Sequence, residues 1–489
     1  MPNDIRVRIA PSPTGKFHIG LARTALFNYL FAKKHGGSFI VRIEDTDRER
    51  HDDASLKDIL EGLRWLGMSW DEGPEVGGPY GPYIQSERLG IYEPFVAELL
   101  QKRLAYRCYC TPEELTAERE SQAGIGAAPK YSGRCRNLAA TVIDQYQRDG
   151  RPSVVRFAVS PQIVSFDDLI RGPVEFDAAL LGDFVIERTN GTPLFFLANV
   201  IDDKKMKISH VLRGEEHLVN TAKQILLADA LNFFSPQFGH FPLILNTDRT
   251  KMSKRKNPVS ITDDYKAVGF LPDALVNFIA LLGWSSGTDR EIYSIKELID
   301  KFELGRVGQS PSVFDHQKLI WMNGYYLRQK GVGEIASLAP NFITDKELLQ
   351  MTQVRPDYFL EALALVHDRL KILSEIEDQI RYFFITPKYQ PELLIAKKST
   401  KDKTLMALKA SVVVVAKLKT ITVDQVELAL RAAAQDLKIK DGELLWAVRV
   451  ALSGRDASPG AFELLAVIGQ AESIKRLKTA VKMLSAISQ

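Results

Sequence analysis

The chain has 489 residues, of which 45% are hydrophobic and 26% charged, values that exclude a wholly disordered, collagen-like or disulfide-scaffold protein. At about 150 residues per domain the length predicts roughly three domains, and three cysteines are too few for a disulfide framework and suit a reducing compartment. Net charge is +3, from 64 basic and 61 acidic residues, but residues 326–489 carry 24 basic and 19 acidic, or +5. Eight lysines fall between 388 and 419; such a run is ordinarily a solvated face, and it is also what a polyanion-binding surface looks like. The first residues are charged with no apolar signal core. The most apolar stretch, 270–283, is broken by Pro272, Asp273 and Asn277, so no membrane span is expected.

Along the first third, strands and helices alternate. Residues 5–9 read as a short strand ending before Pro11. Residues 21–34 read as a helix closed by His35-Gly36-Gly37, and 38–44 as a β-rich strand. Residues 54–66 place Leu56, Ile59, Leu60 and Leu63 on one helix face. This order argues for a parallel sheet with crossover helices. Residues 106–183 break the pattern: they hold all three cysteines, a Gly/Ala segment and short β-like runs, and read as an insertion. Asn190-Gly191 between two apolar runs, 184–189 and 192–201, predicts a β-hairpin. The sheet pattern resumes over 210–246. From about residue 315 helical periodicity dominates, as over 360–380 and 405–430.

Two motifs carry chemistry. Pro11-Ser-Pro-Thr-Gly-Lys-Phe-His-Ile-Gly20 lies between the first strand and first long helix, where α/β sheets bind ligands and a helix start offers N–H groups to phosphate. His18 is suited to donate a hydrogen bond to a phosphate oxygen. Gly15 and Gly20 have the Walker A gap, but Leu21-Ala22 replaces Lys-Ser/Thr, and the dinucleotide G-x-G-x-x-G pattern is absent. The second motif, Thr250-Lys-Met-Ser-Lys-Arg-Lys256, puts four positive charges and a serine in seven residues. Its lysines are suited to neutralise a triphosphate and departing pyrophosphate, although a basic cluster standing alone is as often a solvated surface.

Together the two motifs resemble the HIGH and KMSKS elements of class I aminoacyl-tRNA synthetases. Arg8-Ile-Ala-Pro-Ser-Pro-Thr-Gly15, Val41-Arg-Ile-Glu-Asp-Thr-Asp47, Gln85-Ser-Glu-Arg88 and Leu212-Arg-Gly-Glu-Glu216 narrow the resemblance to bacterial-type glutamyl-tRNA synthetase. It runs through nearly the whole chain, specific over the first 330 residues and loose in the C-terminal helices. The implied fold is α/β: a Rossmann-like parallel-sheet catalytic domain with an inserted α/β subdomain, then an all-α anticodon-binding half. The implied boundaries are 1–105 and 191–256 for the catalytic halves and 106–190 for the acceptor-end insertion. A stem-contact domain over 257–330 and helical anticodon-binding domains over 331–489 complete the division.

The implied reaction joins glutamate to ATP as glutamyl-adenylate, with pyrophosphate released, and then passes the acyl group to the 3′ end of tRNA(Glu). Whether tRNA(Gln) is also charged is left open. His18, Lys251, Ser253 and Lys254 are the implied catalytic residues. Pro11, Thr14, Gly15, His18, Gly20, Glu216 and Lys254 are implied for ATP, which arrives with Mg2+. Arg8 and Arg213 suit the carboxylates of glutamate and Glu44 its ammonium; Ser12 and Phe195 complete that pocket. The family usually has Tyr-Asn where Phe195-Phe196 stands, so a hydroxyl and an amide are missing here.

Cys108, Cys110 and Cys135 resemble the zinc site of some members' insertions, with a structural role for Zn2+. The usual histidine place holds Asn137, a poor ligand, whereas Tyr131 matches the tyrosine ligand of a shorter relative. The basic C-terminal helices are expected to follow the tRNA backbone, with Arg369, Arg381 and Phe383 as candidates to stack on or bond unpaired bases. A cytoplasmic monomer is expected. The competing readings are a glutaminyl-tRNA synthetase, whose β-barrel anticodon module this helical tail lacks, and a catalytically silent tRNA-binding paralogue. A truncated relative that glutamylates a tRNA base is too short, and a small-molecule nucleotidyltransferase needs neither insertion nor tail.

Overall fold

A computed structural model describes residues 4–47, 52–124, 126, 130–250, 252 and 260–486. They form two compact units, one within 1–266 and 272–316, the other within 267–271 and 317–489.

The first unit is built on β1 (Arg6–Ile9), α1 (Ile19–Lys34), β2 (Ser38–Val41) and α2 (Asp53–Trp65). After these come α3 (Leu89–Gln101), β3 (Ala105–Cys108), α4 (Pro112–Gly124) and α5 (Ala140–Arg148). Strands β4 (Val154–Phe157), β5 (Ile163–Asp168), β6 (Gly172–Asp177) and β7 (Phe184–Glu187) follow. The unit then returns through α6 (Phe195–Lys205), β8 (His210–Gly214), α7 (Leu218–Ala230) and β9 (Gln237–Phe241). The main sheet has the order β2-β1-β8-β9-β5-β6. Its first five strands pair in parallel and β6 closes the edge antiparallel. Strands β3, β4 and β7 make a separate antiparallel sheet. The stretch that reads as an insertion is therefore divided: its β5–β6 hairpin extends the main sheet, while β3, β4 and β7 stand apart.

Helix α1 covers the sheet with a fully buried row that includes Leu26, Phe27 and Leu30; Phe27 meets Phe241 edge-on at 5.0 Å and Phe302 at 5.2 Å. The helix starts two residues earlier than its periodicity predicts because His18 caps it, Nδ1 accepting from the Leu21 N–H at 3.2 Å, and histidine is not a usual capping residue.

The predicted hairpin at Asn190-Gly191 is half correct. The turn forms, with Gly191 at φ +77° and Leu194 N donating to Ile186 O at 2.8 Å. The second arm, however, pairs only through Pro193 and then becomes α6. Leu197, Ala198 and Ile201 are fully buried there, and helical spacing also turns Asn199, Asp202 and Asp203 inward, where buried arginines need them. A strand would have sent every second one of these to the opposite face.

The second unit is helical. The stretch 360–380 divides into Pro356–Val366 and Ile376–Phe384, with Leu370 and Leu373 buried between them. The stretch 405–430 divides into Lys401–Lys417 and Val423–Asp436, because the Thr422 side chain accepts from Gln425 N and starts a new helix. Seven of the eight lysines between 388 and 419 are exposed. Arg369 is exposed, whereas Arg381 is held by Asp345 at 2.5 Å and Glu377 at 3.4 Å. Phe383 is 3% exposed and lies against Tyr382 at 4.6 Å. It is a core residue, which corrects the expectation that it stacks on a base.

The loop over residues 10–18 hangs on one buried carboxylate. Asp58 Oδ2 accepts from Phe17 N at 2.6 Å, and Thr262 donates to the same side chain. Asp58→Ala leaves the Phe17 amide without that acceptor; the expected loss is about 1–3 kcal/mol, read as a lower thermal midpoint of the first unit.

Candidate active site

In an open parallel sheet the loops at the carboxyl ends of two neighbouring strands diverge where the chain order reverses, and a crevice opens between them. Here that place is β1/β8: from β1 the chain moves out to β2, from β8 it moves the other way to β9. The loops leaving the two strands line a cavity of about 490 Å³, within the usual range for small-molecule sites. Arg8, Pro11, Ser12, His18 and Gly20 come from the β1 side, Glu44 from the segment after β2, Phe195 and Asn199 from α6, and Arg213, Glu216 and His217 from the β8 side. Thr14 is exposed and Gly15 half-buried, and neither lines this cavity.

Because the Nδ1 lone pair of His18 caps α1, the neutral ring carries its proton on Nε2, the nitrogen suited to donate. A Cβ on Gly20 would meet the His18 ring at 3.3 Å, so the absent side chain is what gives the ring room.

Beneath the cavity lies a lattice of buried charge. Asp203 accepts from Arg8 Nε at 3.1 Å and from Arg42 Nη1 at 2.6 Å. Glu44 Oε1 accepts from Arg42 Nη2 at 3.1 Å and from Asn199 Nδ2 at 2.6 Å. Asp202 accepts from Arg88 Nε at 2.7 Å, Gln85 Nε2 at 3.0 Å and the Tyr92 hydroxyl at 2.9 Å. Burial works against charge on Asp203, yet Arg42 and Arg8 hold its carboxyl below the ordinary range. For Glu44 burial outweighs the help from Arg42 and Arg8, and its carboxyl is pushed up.

Arg213 is different. It is 6% exposed, and its hydrogen bonds go to neutral acceptors: Thr221 Oγ1 at 2.8 Å, Gln224 Oε1 at 2.6 Å and His240 Nε2 at 3.4 Å. Among the described residues it forms no ion pair with a carboxylate. Burial, and then repulsion from Arg8, push its guanidinium down to about 9. Asp203, Glu44 and Glu216 offset this only in part and at a distance; burying a cation without a contacting carboxylate is costly, and an anion entering the cavity offsets that cost. His217 beside it is pushed down to about 4 by burial and by Arg213.

Glu216 is exposed at the rim. Phe195 presents its ring to His217 at 5.8 Å, while Phe196 turns away and packs on Phe184 at 5.6 Å. The amide missing at 196 therefore has a counterpart one helical turn beyond Phe195, in Asn199. Sequence reasoning missed Asn199; its signal was a polar residue inside the apolar run 197–201.

Lys251, Ser253 and Lys254 lie outside the described residues. Between the first two of them Met252 lines the cavity, and beyond them Ser260 makes a bridge with His18.

The three cysteines gather away from the crevice. Their sulfurs all lie within 4.8 Å of one another, with Cys110 to Cys135 at 3.6 Å. Tyr131 Oη sits 3.4 Å from Cys108 Sγ and 3.5 Å from Cys110 Sγ, and accepts from Cys135 N at 2.9 Å. Asn137 is exposed. A tetrahedral zinc with Zn–S of about 2.3 Å and Zn–O of about 2.0 Å requires S···S edges near 3.8 Å and S···O edges near 3.5 Å. The Cys110–Cys135 edge and the two edges from Tyr131 Oη to Cys108 and Cys110 come close to those lengths, and the remaining sulfur separations lie within 4.8 Å. Against the cost of burial, Tyr131 and Arg156 hold the Cys108 thiol below its usual range, while burial pushes Cys110 up to about 12. The Arg156 guanidinium lies 3.9 Å over the Tyr131 ring, a cation beside four donors that become anionic when they bind metal.

Among the described residues no helix is long and apolar enough to cross a membrane.

Known proteins match this arrangement over its full length. Residues 4–321 match the family model described as tRNA synthetases class I (E and Q), catalytic domain, and residues 334–481 match an anticodon binding domain. Glutamate–tRNA ligase 1 of Syntrophomonas wolfei is 43% identical over 487 residues, 99% of this chain and 98% of its own. Glutamate–tRNA ligase of Moorella thermoacetica is 43% identical over 98% of each chain. Among solved structures, a glutamate tRNA ligase from Elizabethkingia meningosepticum in complex with its amino acid has a TM-score of 0.88 at 33% identity, covering 98% of this chain and 100% of its own.

Proposed function

We infer the reaction from one premise: the chain belongs to the class I tRNA synthetases of the E and Q type. It is a glutamate–tRNA ligase, an enzyme that joins glutamate to tRNA at the expense of ATP. The alternatives of a glutaminyl enzyme or a silent paralogue find no support beside full-length relatives that are glutamate–tRNA ligases.

For the individual residues, the observation that carries the reading is the Arg213 guanidinium, buried at the crevice and, among the described residues, without a carboxylate in ion-pair contact; Asp203, Glu44 and Glu216 act on it only through space. An amino acid with an anionic side chain balances it; the neutral amide of glutamine does not. Arg8, whose charge Asp203 already meets, aids the second carboxylate by hydrogen bonding, and Glu44 receives the ammonium with Asn199 beside it. Ser12 and Phe195 close the pocket. The α-carboxylate is itself the nucleophile toward the α-phosphate, so the protein supplies position and charge and needs no covalent intermediate. His18 donates through Nε2 to the phosphate, where charge builds as the bond to pyrophosphate breaks. Pro11, Thr14, Gly15 and Gly20 shape the nucleotide loop and Glu216 stands near ATP. Lys251, Ser253 and Lys254 neutralise the departing pyrophosphate. Mg2+ enters on the nucleotide phosphates and lowers their charge. The second unit, with its exposed lysines, takes the tRNA backbone, and the three unpaired thiols suit a cytoplasmic enzyme. Cys108, Cys110, Cys135 and Tyr131 hold a structural zinc that ties the end of β3 to the 131–135 turn.

The full chain, assayed with tRNA(Glu) and tRNA(Gln) in parallel, is expected to charge tRNA(Glu). Lys254→Ala is expected to lose about 100-fold or more in glutamate-dependent ATP–pyrophosphate exchange while tRNA affinity by filter binding stays near wild type; exchange at wild-type speed removes Lys254 from the mechanism. Because the ammonium favours ionised Glu44, whose carboxyl is raised, glutamate affinity is fully present above that raised value and is lost as pH falls through it. The KM for glutamate is therefore expected to climb on acidification, and Glu44→Gln to raise it and flatten its pH profile. Metal analysis of the purified chain is expected to find zinc near one per molecule, with Tyr131→Phe releasing it faster to a chelator; a metal-free chain refutes the zinc site.

A further inference from the structure

Behind Arg213, out of reach of any ligand in the crevice, a line of hydrogen bonds runs into the core. Arg213 Nη2 donates to Thr221 Oγ1 at 2.8 Å. Thr221 Oγ1 lies 2.9 Å from His240 Nε2, and His240 Nδ1 lies 2.6 Å from Asp168 Oδ2. Thr221 and His240 are fully buried, and Asp168 is 4% exposed. None of the three lines the cavity that Arg213 lines.

The chemistry of the two ends sets the direction of every proton between them. A guanidinium can only donate and an ionised carboxylate can only accept. Asp168 is therefore the terminus: His240 Nδ1–H donates to it, which leaves a lone pair on Nε2. The Thr221 hydroxyl, which also lies 3.3 Å from the His217 carbonyl, donates to that lone pair at the shorter separation of 2.9 Å and turns its oxygen toward Arg213, and the same lone pair accepts from Arg213 Nε at 3.4 Å. Asp168 is itself held in place, since its Oδ1 accepts from Ile170 N at 3.0 Å, Arg171 N at 2.9 Å and His240 N at 3.2 Å. The charged or titratable groups around His240 are Asp168, Arg213 and Arg171, with His217 beyond. Burial, with repulsion from Arg213 added, pulls the imidazole down, while His240 and the backbone N–H groups hold the Asp168 carboxyl down against burial. The ring is neutral, so it orients Arg213 without neutralising it.

We propose that Asp168 and His240 are positioning residues for glutamate recognition: acting through Thr221, they fix the orientation of the Arg213 guanidinium while leaving its charge for the substrate carboxylate. The inference rests on the reading of Arg213 as the glutamate receptor. It separates the pair from ordinary core packing, because it turns on which ring nitrogen carries the proton and not on volume.

Asp168→Asn tests this with almost no change of shape. The three backbone donors keep the amide oxygen at the Oδ1 position, so the NH2 falls at Oδ2 and faces Nδ1. The ring then takes the other tautomer and presents Nε2–H to Thr221 and Arg213. In the full chain, assayed by ATP–pyrophosphate exchange with tRNA present, the KM for glutamate is expected to rise about 10- to 100-fold, the scale of one hydrogen bond to a charged group. The KM for ATP should stay within about twofold and kcat at saturating glutamate within about threefold, as for lost ground-state binding. His240→Leu is expected to behave the same way. His240→Gln, whose side-chain oxygen reaches the Nε2 position, should stay within about threefold of wild type and restore glutamate affinity in the Asp168→Asn background. These two variants decide the matter if Asp168→Asn does not fold.

Arg213→Ala, run alongside, separates the two claims. If it raises the glutamate KM and the Asp168 and His240 variants do not, the positioning role is overturned and the receptor reading stands. If Arg213→Ala itself leaves that KM unchanged, the receptor reading fails and the inference with it. A parallel rise in the ATP KM, or no rescue by His240→Gln, also overturns the positioning role, since either marks general damage to the fold.

Discussion

Asp203 sits between two guanidinium groups, Arg8 of β1 and Arg42 just past β2, at 3.1 and 2.6 Å, and it is carried by α6. This buried arrangement joins the ends of two strands to a helix 161 to 195 residues away in the chain. Ion pairs so deep are weak net contributors when balanced and very costly when one partner is missing. Their value here is geometric. With Asp203 engaged, Glu44 is left to Arg42 and Asn199, and the faces of Arg8 and Glu44 that border the crevice are set before any substrate arrives. Pre-ordering of this kind spares the binding step the reorganisation it would otherwise cost.

The same logic explains why the crevice keeps one charge unbalanced. Arg8 and Arg213 both line it, but among the described residues Arg8 is ion-paired with a carboxylate and Arg213 is not. Thr221, Gln224 and His240 surround Arg213 with acceptors that carry no charge, so the guanidinium is oriented and still electrostatically open. A hydrogen-bonded site of this type discriminates strongly against a ligand unable to complete it. Selectivity for an acid over its amide thus comes from what is withheld from Arg213 as much as from what touches it.

The fold also reallocates the stretch that reads as an insertion. Its β5–β6 hairpin belongs to the catalytic sheet and delivers Asp168 to the core behind Arg213, while the residues before it gather the three sulfurs and Tyr131. Segments adjacent in sequence thereby serve two sites. The division follows from strand pairing: β5 lies parallel to β9, and β4 pairs with β3 and β7.

Much was legible from the sequence because it depends on local order. The strand–loop–helix around His18, the alternation that demands a parallel sheet, the clustering of all three cysteines in one segment and the helical C-terminal half follow from spacing and residue type, whereas Tyr131 was singled out only by resemblance to a shorter relative. Arg8, Glu44 and Arg213 could be singled out by motif. What they do could not, since a guanidinium's role depends on whether a carboxylate lies within about 4 Å, and the partner of Arg8 is 195 residues away. The arm after Asn190-Gly191 has strand-like local character, yet it is a helix, because three buried arginines require Asp202, Asp203 and Asn199 on one side of it. Phe383 was as good a stacking candidate as any aromatic until packing placed it inside. Sequence pattern settles which elements form and which residue types stand at the strand ends. Tertiary structure alone decides which charges are neutralised, because desolvation and Coulomb energy act through space and take no account of order along the chain.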